Sequence, residues 1–240
     1  MTRRRWLADR VEGDRASLLG DHADHLTRVL RAEIGQLYDI ATPTGVRLGR
    51  VVSITECRVD FLLADFIPNP ELLDITLALA IFKFDRMEWA IEKCTELGAT
   101  KIIPFLAART EKHLAQAAEK RVERWRRLVR QASEQSRRAA PPEIDDPVKL
   151  EQILNHPITT RIILAESEQT HTLADLLQPK PTSQQQVLLA VGPEGGWTPG
   201  ELRKFEEANW KSATLGPTIL RAETAAIAAL AIALSTQQTK

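Results

Sequence analysis

The chain has 240 residues, of which 43% are hydrophobic, and it carries 32 basic and 32 acidic side chains. This length suits one large domain or two modest ones, and the apolar fraction argues against intrinsic disorder. A net charge of zero excludes recognition of a polyanion through overall charge, so a nucleic-acid partner would have to bind a local basic patch.

The sequence indicates neither export nor membrane insertion. No run of about eighteen apolar residues occurs, and the three arginines at positions 3–5 are not followed by the apolar core of a signal peptide. Cys57 and Cys94 lie far apart and form no zinc-binding pair. We therefore expect a cytoplasmic protein with two reduced structural thiols and no metal ion.

Residues 1–70 have the pattern of short β-strands separated by turns, with one helical stretch at about 21–32. The strand-like runs are 18–19, 37–41, 46–54 and 59–64. Pro68, Asn69 and Pro70 cannot continue a strand or a helix, so they predict a linker. We expect a β-rich N-terminal module that ends there.

After residue 70, buried-type strands alternate with helices. The predicted strands are 75–81, 102–106, 162–165, 187–191 and 213–215. The predicted helices are 85–97, 113–139, 198–209 and 223–235. This alternation predicts an α/β domain over residues 71–240. Its sheet should be mostly parallel, with the binding site at the carboxyl ends of the strands.

A glycine-rich loop at residues 192–196, Gly-Pro-Glu-Gly-Gly, follows one of these strands and precedes a helix that begins with a capping box. Its spacing matches neither a dinucleotide fingerprint nor a phosphate-binding loop. Glycines let the backbone approach a ligand closely. A strand-to-helix turn that needs positive φ is an equally good explanation of the same residues.

A second loop, within residues 215–225 (Leu-Gly-Pro-Thr-Ile-Leu-Arg-Ala-Glu-Thr-Ala), also follows a strand and opens a helix. Glu223 suits the positive end of the helix dipole, whereas Arg221 does not. The apolar pair before Arg221 favours contact with a ligand, and a surface salt link is the alternative. The helix that follows is apolar nearly all round, which predicts burial inside its own domain or at a two-fold interface.

Basic charge is concentrated between residues 109 and 138, where ten basic and four acidic side chains give a net charge of +6. Between 120 and 138 there are seven arginines and one lysine. Arginine forks suit phosphate groups, so this segment is a candidate RNA-binding surface. Solvated arginines on a long helix are the alternative interpretation.

Together these segments resemble the RsmE family of SPOUT methyltransferases. The loops at 192–196 and 215–225 carry the most specific similarity, and the resemblance covers nearly the whole chain. Further similar segments are 25–31 (His-Leu-x-x-Val-Leu-Arg), 85–98 and 134–136. Phe84 and Arg137 stand where the family usually has glycine, and Thr218 stands where it commonly has arginine.

The resemblance implies a C-terminal SPOUT α/β-knot over residues 71–240, in which a mostly parallel sheet belongs to a deep trefoil knot. It implies a small N-terminal PUA-like β-barrel domain that binds RNA over residues 1–70, and a homodimer. The implied activity is S-adenosylmethionine-dependent methylation of N3 of a specific uridine in small-subunit (16S) ribosomal RNA. Whether that RNA is naked or part of the assembled subunit stays open.

The resemblance, the basic segment and the chemistry of uridine together predict the roles of particular residues. The cofactor-binding residues are expected to be Ala165, Glu166, Gly192, Glu194, Gly195, Gly196, Leu215, Gly216, Ile219 and Leu220. Arg221 is expected to stabilise the uracil anion. Glu223 is expected either to accept the N3 proton or to anchor Arg221, and the anchoring role is favoured. The RNA-binding residues are expected to be Arg3, Arg4, Arg5, Arg28, Arg31, Arg86, Arg126, Arg127, Arg130, Arg137 and Arg138.

Two other functions stay open from the sequence. One is a SPOUT methyltransferase that acts on transfer RNA. The other is a non-catalytic ribosome-assembly factor that binds RNA through the arginine-rich helix. The presence of Glu194, Arg221 and Glu223 favours catalysis over the assembly factor.

Overall fold

The computed structural model describes residues 5–68, 73–178, 181 and 185–236. Contacts divide the chain into two compact units, Met1–Pro70 with Ser133–Pro141, and Glu71–Ala132 with Pro142–Lys240. The sequence placed residues 133–141 in the C-terminal domain, whereas their contacts lie in the N-terminal unit. Most of the predicted linker falls outside the described residues.

The N-terminal unit is built on a six-stranded sheet in the order β1-β4-β5-β6-β3-β2. Within the part of this unit that the structure describes, the β1–β4 pair is parallel and the other pairs are antiparallel. Its strands are β1 (Arg5–Leu7), β2 (Arg10–Glu12), β3 (Arg15–Leu19), β4 (Leu37–Thr42), β5 (Gly45–Thr55) and β6 (Arg58–Phe66). The four predicted runs correspond to β3 to β6. Strands β1 and β2 have three residues each, too few to show an alternating pattern.

The helical stretch predicted at 21–32 is shorter in the structure. It consists of α1 (Asp21–Asp24) followed by a π-helical turn (His25–Val29). Ala23 and Leu26 lie in the core of the unit. The helical backbone ends before Arg31, whose φ of 52° is left-handed.

The C-terminal unit is built on a seven-stranded sheet in which every pair is parallel, so the predicted parallel sheet is confirmed. The main path runs β10-β8-β7-β12-β11-β13, and β9 pairs with β8. The strands are β7 (Asp74–Ala80), β8 (Lys101–Leu106), β9 (Glu143–Ile144), β10 (Val148–Lys149), β11 (Thr160–Leu164), β12 (Gln186–Val191) and β13 (Lys211–Ala213).

Among the described residues, seven α-helices accompany this sheet, and α4 continues into residues of the N-terminal unit. They are α2 (Phe84–Leu97), α3 (Lys112–Ala117), α4 (Val122–Gln135), α5 (Leu150–Leu154), α6 (Leu173–Leu176), α7 (Pro199–Glu207) and α8 (Ala222–Ser235). The single helix predicted at 113–139 is wrong, because a 3-10 turn (Glu119–Arg121) separates α3 from α4. Ala118 and Val122 are both buried, so the apolar spacing continues across the turn and could not reveal it.

Both faces of the parallel sheet are covered. Along β7, Leu77 and Leu79 belong to one apolar cluster, whereas Ala78 and Ala80 belong to the cluster on the other face. This double burial explains why β7 is almost entirely apolar. The strand ends and the loops that follow them are therefore the part of the sheet that is left to hold a ligand.

Helix α8 is only partly buried within a single chain. Ala226, Ala229 and Ala233 are fully buried, whereas Thr224 and Ala231 are exposed on the opposite side. The helix packs against α2. The expected burial on every side is therefore not reached inside one C-terminal unit.

Candidate functional site

A cavity of about 470 Å³ lies at the carboxyl ends of three neighbouring strands in the C-terminal unit. Strand β11 pairs in parallel with β12 on one side and with β13 on the other, so the loops after all three leave the same edge of the sheet. These loops contribute residues 164–167, 191–197 and 213–222 to the cavity wall. The volume suits a small-molecule ligand.

All ten residues expected to bind the cofactor line this cavity. They are Ala165, Glu166, Gly192, Glu194, Gly195, Gly196, Leu215, Gly216, Ile219 and Leu220. Arg221 lines it as well. Glu223 is not part of the wall, although it follows two residues later.

Trp197 fixes the end of the glycine-rich loop. Its indole nitrogen donates a hydrogen bond of 2.7 Å to the carbonyl oxygen of Leu164, at the end of β11. Its ring stacks on Phe105 with centroids 6.0 Å apart. A Cβ at Gly192 would lie 3.0 Å from this indole, so the loop needs glycine there to let the ring pack.

Different structural features account for the glycines at the individual positions of this loop. Gly196 has a φ of 68°, so the positive-φ explanation applies to it. Gly195 has no such backbone, and a Cβ there would lie 3.3 Å from Cδ of Arg109. The Arg109 guanidinium donates a hydrogen bond to the Gly195 carbonyl oxygen. A side chain at Gly195 would therefore crowd the Arg109 stem, which would have to shift by a few tenths of an ångström.

The loop after β13 is the most open part of the wall. Gly216 has a φ of 123°, and a Cβ built there would meet no atom within 4 Å. Ile219 is 79% exposed, which is high for a large apolar side chain. An apolar side chain and an accessible backbone at the same loop are the features that a bound ligand would cover.

Arg86, Glu194 and Glu223 form an ionic cluster beside the cavity. Arg86, in the first turn of α2, donates a hydrogen bond to Glu194, and its Nε lies 3.9 Å from Oε1 of Glu223. Glu223 is 5% exposed, and its Oε2 has no hydrogen-bond partner among the described residues. The structure thus pairs Glu223 with Arg86 instead of the expected Arg221. Arg86, expected to contact RNA, already has two carboxylate partners.

Arg221 lies at the start of α8, where it occupies the N-cap position. Its side chain is exposed and makes no ion pair with any residue that the structure describes. A guanidinium at the cavity wall without a carboxylate partner is available to a bound anion.

Arg109 also lines the cavity, and sequence reasoning did not single it out as a site residue. It lies on a well-held turn after β8, where the Ala108 amide donates to Glu201 at 2.7 Å and the Thr110 hydroxyl donates to the Ile81 carbonyl oxygen at 3.1 Å. Its position shortly after a buried parallel strand was the available signal, since such positions share one edge of the sheet.

The candidate RNA-binding arginines of α4 differ in their surroundings. Arg126 forms ion pairs with Glu123 at 2.7 Å and Asp146 at 3.0 Å. Arg127 is exposed and has no ion-pair partner in the described part of the chain. Arg130 is half-buried. Of the three, Arg127 is the most available to a phosphate.

Five candidate arginines lie in the N-terminal unit, and Arg3 and Arg4 lie outside the described residues. Arg28 and Arg31 are exposed, and Arg28 lies 3.6 Å from Asp24. Arg5 donates a hydrogen bond to the carbonyl oxygen of Arg137. Burial lowers the pKa of Arg138 to about 10, which marks it as a partly desolvated side chain.

The described residues contain no group of three or more His, Cys, Asp or Glu side chains arranged to hold a metal ion. Cys94 is fully buried on α2, and burial raises the pKa of its thiol to about 12. It therefore stays protonated and behaves as a small apolar side chain. No helix in the described part of the chain is long and apolar enough to cross a bilayer.

Comparison with known sequences identifies relatives over most of the chain. Residues 69–234 match a protein family described as RNA methyltransferase domain. A ribosomal RNA small subunit methyltransferase E of Bacillus subtilis is 31% identical over 89% of this chain and 87% of its own length. A protein of the same name from Rickettsia conorii is 33% identical over 92% and 90%, respectively.

Solved structures agree with this assignment. A ribosomal RNA small subunit methyltransferase E from Neisseria gonorrhoeae, bound to S-adenosyl methionine, superposes with a TM-score of 0.82 at 28% identity over 96% of both chains. A methyltransferase from Legionella pneumophila in complex with the same cofactor gives 0.83 at 27% identity over 99% of both chains. The chain therefore belongs to the RNA methyltransferase family and, within it, to the ribosomal RNA small subunit methyltransferase E proteins.

Proposed function

We propose that this protein transfers a methyl group from S-adenosylmethionine to small-subunit ribosomal RNA. The observation that carries the proposal is the convergence of three loops on one cavity, with all ten expected cofactor-binding residues in its wall. Relatives named for this activity cover most of the chain, and similar structures were solved with S-adenosyl methionine bound.

The residues of the cavity fit that ligand. Backbone amides and carbonyls of the glycine-rich loop can hold the adenine, and Leu215, Ile219 and Leu220 offer it apolar contact. Glu166 and Glu194 add two carboxylates to the wall, which suit the ammonium and hydroxyl groups of the ligand. When bound, S-adenosylmethionine supplies a methyl group on a sulfonium centre.

The acceptor within this proposal is N3 of a uridine in 16S ribosomal RNA. Uridine N3 carries a proton, and it attacks poorly until that proton is lost. The negative charge that then develops on the flanking carbonyl oxygens needs a cation beside the ring. Arg221 supplies it, because its guanidinium is exposed at the cavity wall and its fork of donors suits a planar anion.

Glu223 takes no direct part in this chemistry. It is buried, it lies outside the cavity wall, and it faces Arg86. The Arg86 guanidinium, whose Nε lies 3.9 Å from Oε1 of Glu223, compensates the charge of this buried carboxylate. Solvent is the acceptor for the N3 proton in this mechanism, with Arg221 stabilising the anion that remains.

Three architectural expectations belong to the same proposal. The N-terminal unit acts as a PUA-like RNA-binding domain, and the C-terminal sheet belongs to a trefoil knot of the SPOUT type. The protein acts as a homodimer through α8, whose half-exposed apolar side includes Ile227, Ala228 and Ala231. An apolar helix face of this kind is typical of a two-fold interface.

The test is methyl transfer from labelled S-adenosylmethionine to RNA from a strain without this enzyme. Free 16S RNA, assembled small subunits and transfer RNA are compared, and digested products are analysed by mass spectrometry. We expect N3-methyluridine in the small-subunit RNA. Label in transfer RNA alone would show that the substrate is transfer RNA and not small-subunit ribosomal RNA. Cofactor binding without label in any RNA would contradict the enzymatic function, and RNA binding without cofactor binding would support the assembly-factor alternative.

A further inference from the structure

The ionic cluster of Arg86, Glu194 and Glu223 joins three elements that are far apart in sequence. Arg86 belongs to the first turn of α2, Glu194 to the glycine-rich loop and Glu223 to the first turn of α8. Arg86 donates to Glu194 and lies 3.9 Å from Glu223. One guanidinium therefore connects the cavity wall to two helices of the core.

The three side chains of the cluster differ in their exposure to solvent, and Glu223 is the most buried. The exposed side-chain fraction is 33% for Arg86, 26% for Glu194 and 6% for Glu223. The least exposed carboxylate, Glu223, thus belongs to helix α8, and the carboxylate of the loop, Glu194, lies nearer to solvent. Removing Arg86 would leave Glu223 buried without a counterion.

The helices provide a rigid support for this cluster. Met87 and Ala90 of α2 and Ala226 of α8 are fully buried, and the two helices pack against each other. The loop around Glu194 contains glycines, which lose much conformational freedom when they are ordered. A bond from a fixed guanidinium to the loop carboxylate lowers the free energy of the ordered loop relative to its alternatives.

We propose that Glu223 and Arg86 are positioning residues for the cofactor loop. The buried Glu223 carboxylate orients the Arg86 guanidinium, and Arg86 in turn holds Glu194, so that residues 192–196 keep the shape that receives S-adenosylmethionine. This inference rests on the proposed function for the identity of the ligand. It assigns Glu223 an effect on cofactor affinity and assigns the chemical step to other residues.

The test measures S-adenosylmethionine affinity by calorimetry for the full-length protein and for Glu223→Gln, Glu194→Gln and the double variant. Glu207→Gln is the matched control, because Glu207 is an exposed carboxylate at the end of α7. Each single variant should raise the Kd by about tenfold, through loss of the Arg86–Glu194 hydrogen bond in one case and of the Arg86–Glu223 ion pair in the other. The double variant should raise it by no more than about tenfold, since both changes break the same relay.

A second measurement separates positioning from a structural or catalytic role. Single-turnover methylation at saturating cofactor and RNA should stay within about twofold of the unmodified rate in Glu223→Gln, because the ordered loop is then restored by mass action. Arg86→Lys keeps the charge and should recover part of the affinity that Arg86→Gln loses. A thermal midpoint for Glu194→Gln close to that of the unmodified protein would show that its effect is local.

Three outcomes would overturn the inference. The first is an affinity that is unchanged in both single variants. The second is a double variant whose loss is the product of the single losses, which would mean that the two carboxylates act independently. The third is a normal affinity with a slow single-turnover rate in Glu223→Gln, which would make Glu223 catalytic. If the unmodified protein bound no S-adenosylmethionine, the proposed function itself would be wrong. Calorimetry on the unmodified protein shows this before any variant is measured.

Discussion

The Trp197 indole and the Leu164 carbonyl oxygen are joined by a hydrogen bond of 2.7 Å. This bond connects the end of the glycine-rich loop to the end of the neighbouring strand β11, and thereby fixes two of the three loops that form the cavity. The Thr198 side chain accepts a hydrogen bond from the Glu201 amide immediately afterwards, which starts α7 in a defined place. The loop is therefore held at its exit by both a ring and a helix cap.

Replacing Gly216 by valine should abolish S-adenosylmethionine binding. Its φ of 123° is strained for any residue with a Cβ, and the open space around it is where a ligand would approach. We expect a stability loss of about 1–3 kcal/mol from the backbone strain, together with no measurable binding heat in calorimetry. Gly200→Ala is the control, because a Cβ there meets only the Thr198 hydroxyl at 4.0 Å. Unchanged affinity in Gly216→Val would show that this loop does not contact the cofactor.

Replacing Arg221 by alanine should slow methyl transfer on the order of a hundredfold while leaving cofactor affinity unchanged. The physical reason is the loss of a preorganised cation at the site where charge develops on the uracil. The measurement is a single-turnover rate at saturating RNA. Arg203→Ala, an exposed arginine on α7 without an ion-pair partner in the described residues, is the matched control. A near-normal rate in Arg221→Ala would assign the chemistry to another group.

Charge reversal at Arg127 should weaken RNA binding and flatten its dependence on salt, because each lost phosphate contact removes about 0.7 from the slope for single strands. Arg126→Glu carries the same charge change but also disrupts ion pairs with Glu123 and Asp146. We therefore expect a larger change in slope for Arg127→Glu than for Arg126→Glu. Equal salt-dependence slopes in the two variants would mean that only the net charge affects RNA binding. A slope unchanged from that of the unmodified protein would show that the RNA does not contact this part of α4.

Glutamate at Ala228 should convert a dimer into a folded monomer. Ala228 is half-buried on the open side of α8, so a charge there would be desolvated only at an interface. Ala229 is fully buried, and the same change there should unfold the domain. Equilibrium sedimentation at micromolar concentration, with circular dichroism as the folding control, distinguishes the two effects. Monomeric behaviour of the unmodified protein would rule out the dimer.

Asp60 should stabilise the N-terminal unit above the pKa of its unfolded state and lose that effect in acid. Burial would raise the pKa of this carboxyl, but hydrogen bonds from Ser17 and Arg58, both of 2.7 Å, outweigh it and bring the pKa below its usual 3.8. The contribution is therefore complete above pH 3.8 and disappears as the pH falls through the lower folded value.

Urea unfolding of Asp60→Asn checks this expectation. At neutral pH the variant should be less stable by about 1 kcal/mol, the net value of a typical hydrogen bond. Once the pH lies below the folded pKa, the difference should nearly vanish, because the carboxyl is then protonated in both the folded and the unfolded state. A difference that is independent of pH would show that the charge of Asp60 has no role in the effect.

The sequence by itself determined the parallel sheet and the site at its edge. Runs such as 75–81 and 187–191 are apolar on both faces, as expected of parallel strands covered on both sides. Loops that follow neighbouring parallel strands must meet, so the glycine-rich loop and the segment from Leu215 onward could be assigned to one cavity. Local pattern and backbone geometry were sufficient for these conclusions.

Only the tertiary structure decided which charged groups meet. Arg86 and Glu194 are 108 positions apart, and no periodicity relates them. No periodicity relates Arg109 to Gly195 either, although their atoms are in contact. Residues 133–141 begin inside α4 and continue beyond its end, yet they belong to the N-terminal unit. Because Glu223 and Arg221 are close in sequence, they were expected to pair. In the structure the buried Glu223 carboxylate lies 3.9 Å from Arg86 instead. Which partner a long charged side chain contacts depends on the free space and the solvent exposure around it. Both are set only when the core has packed.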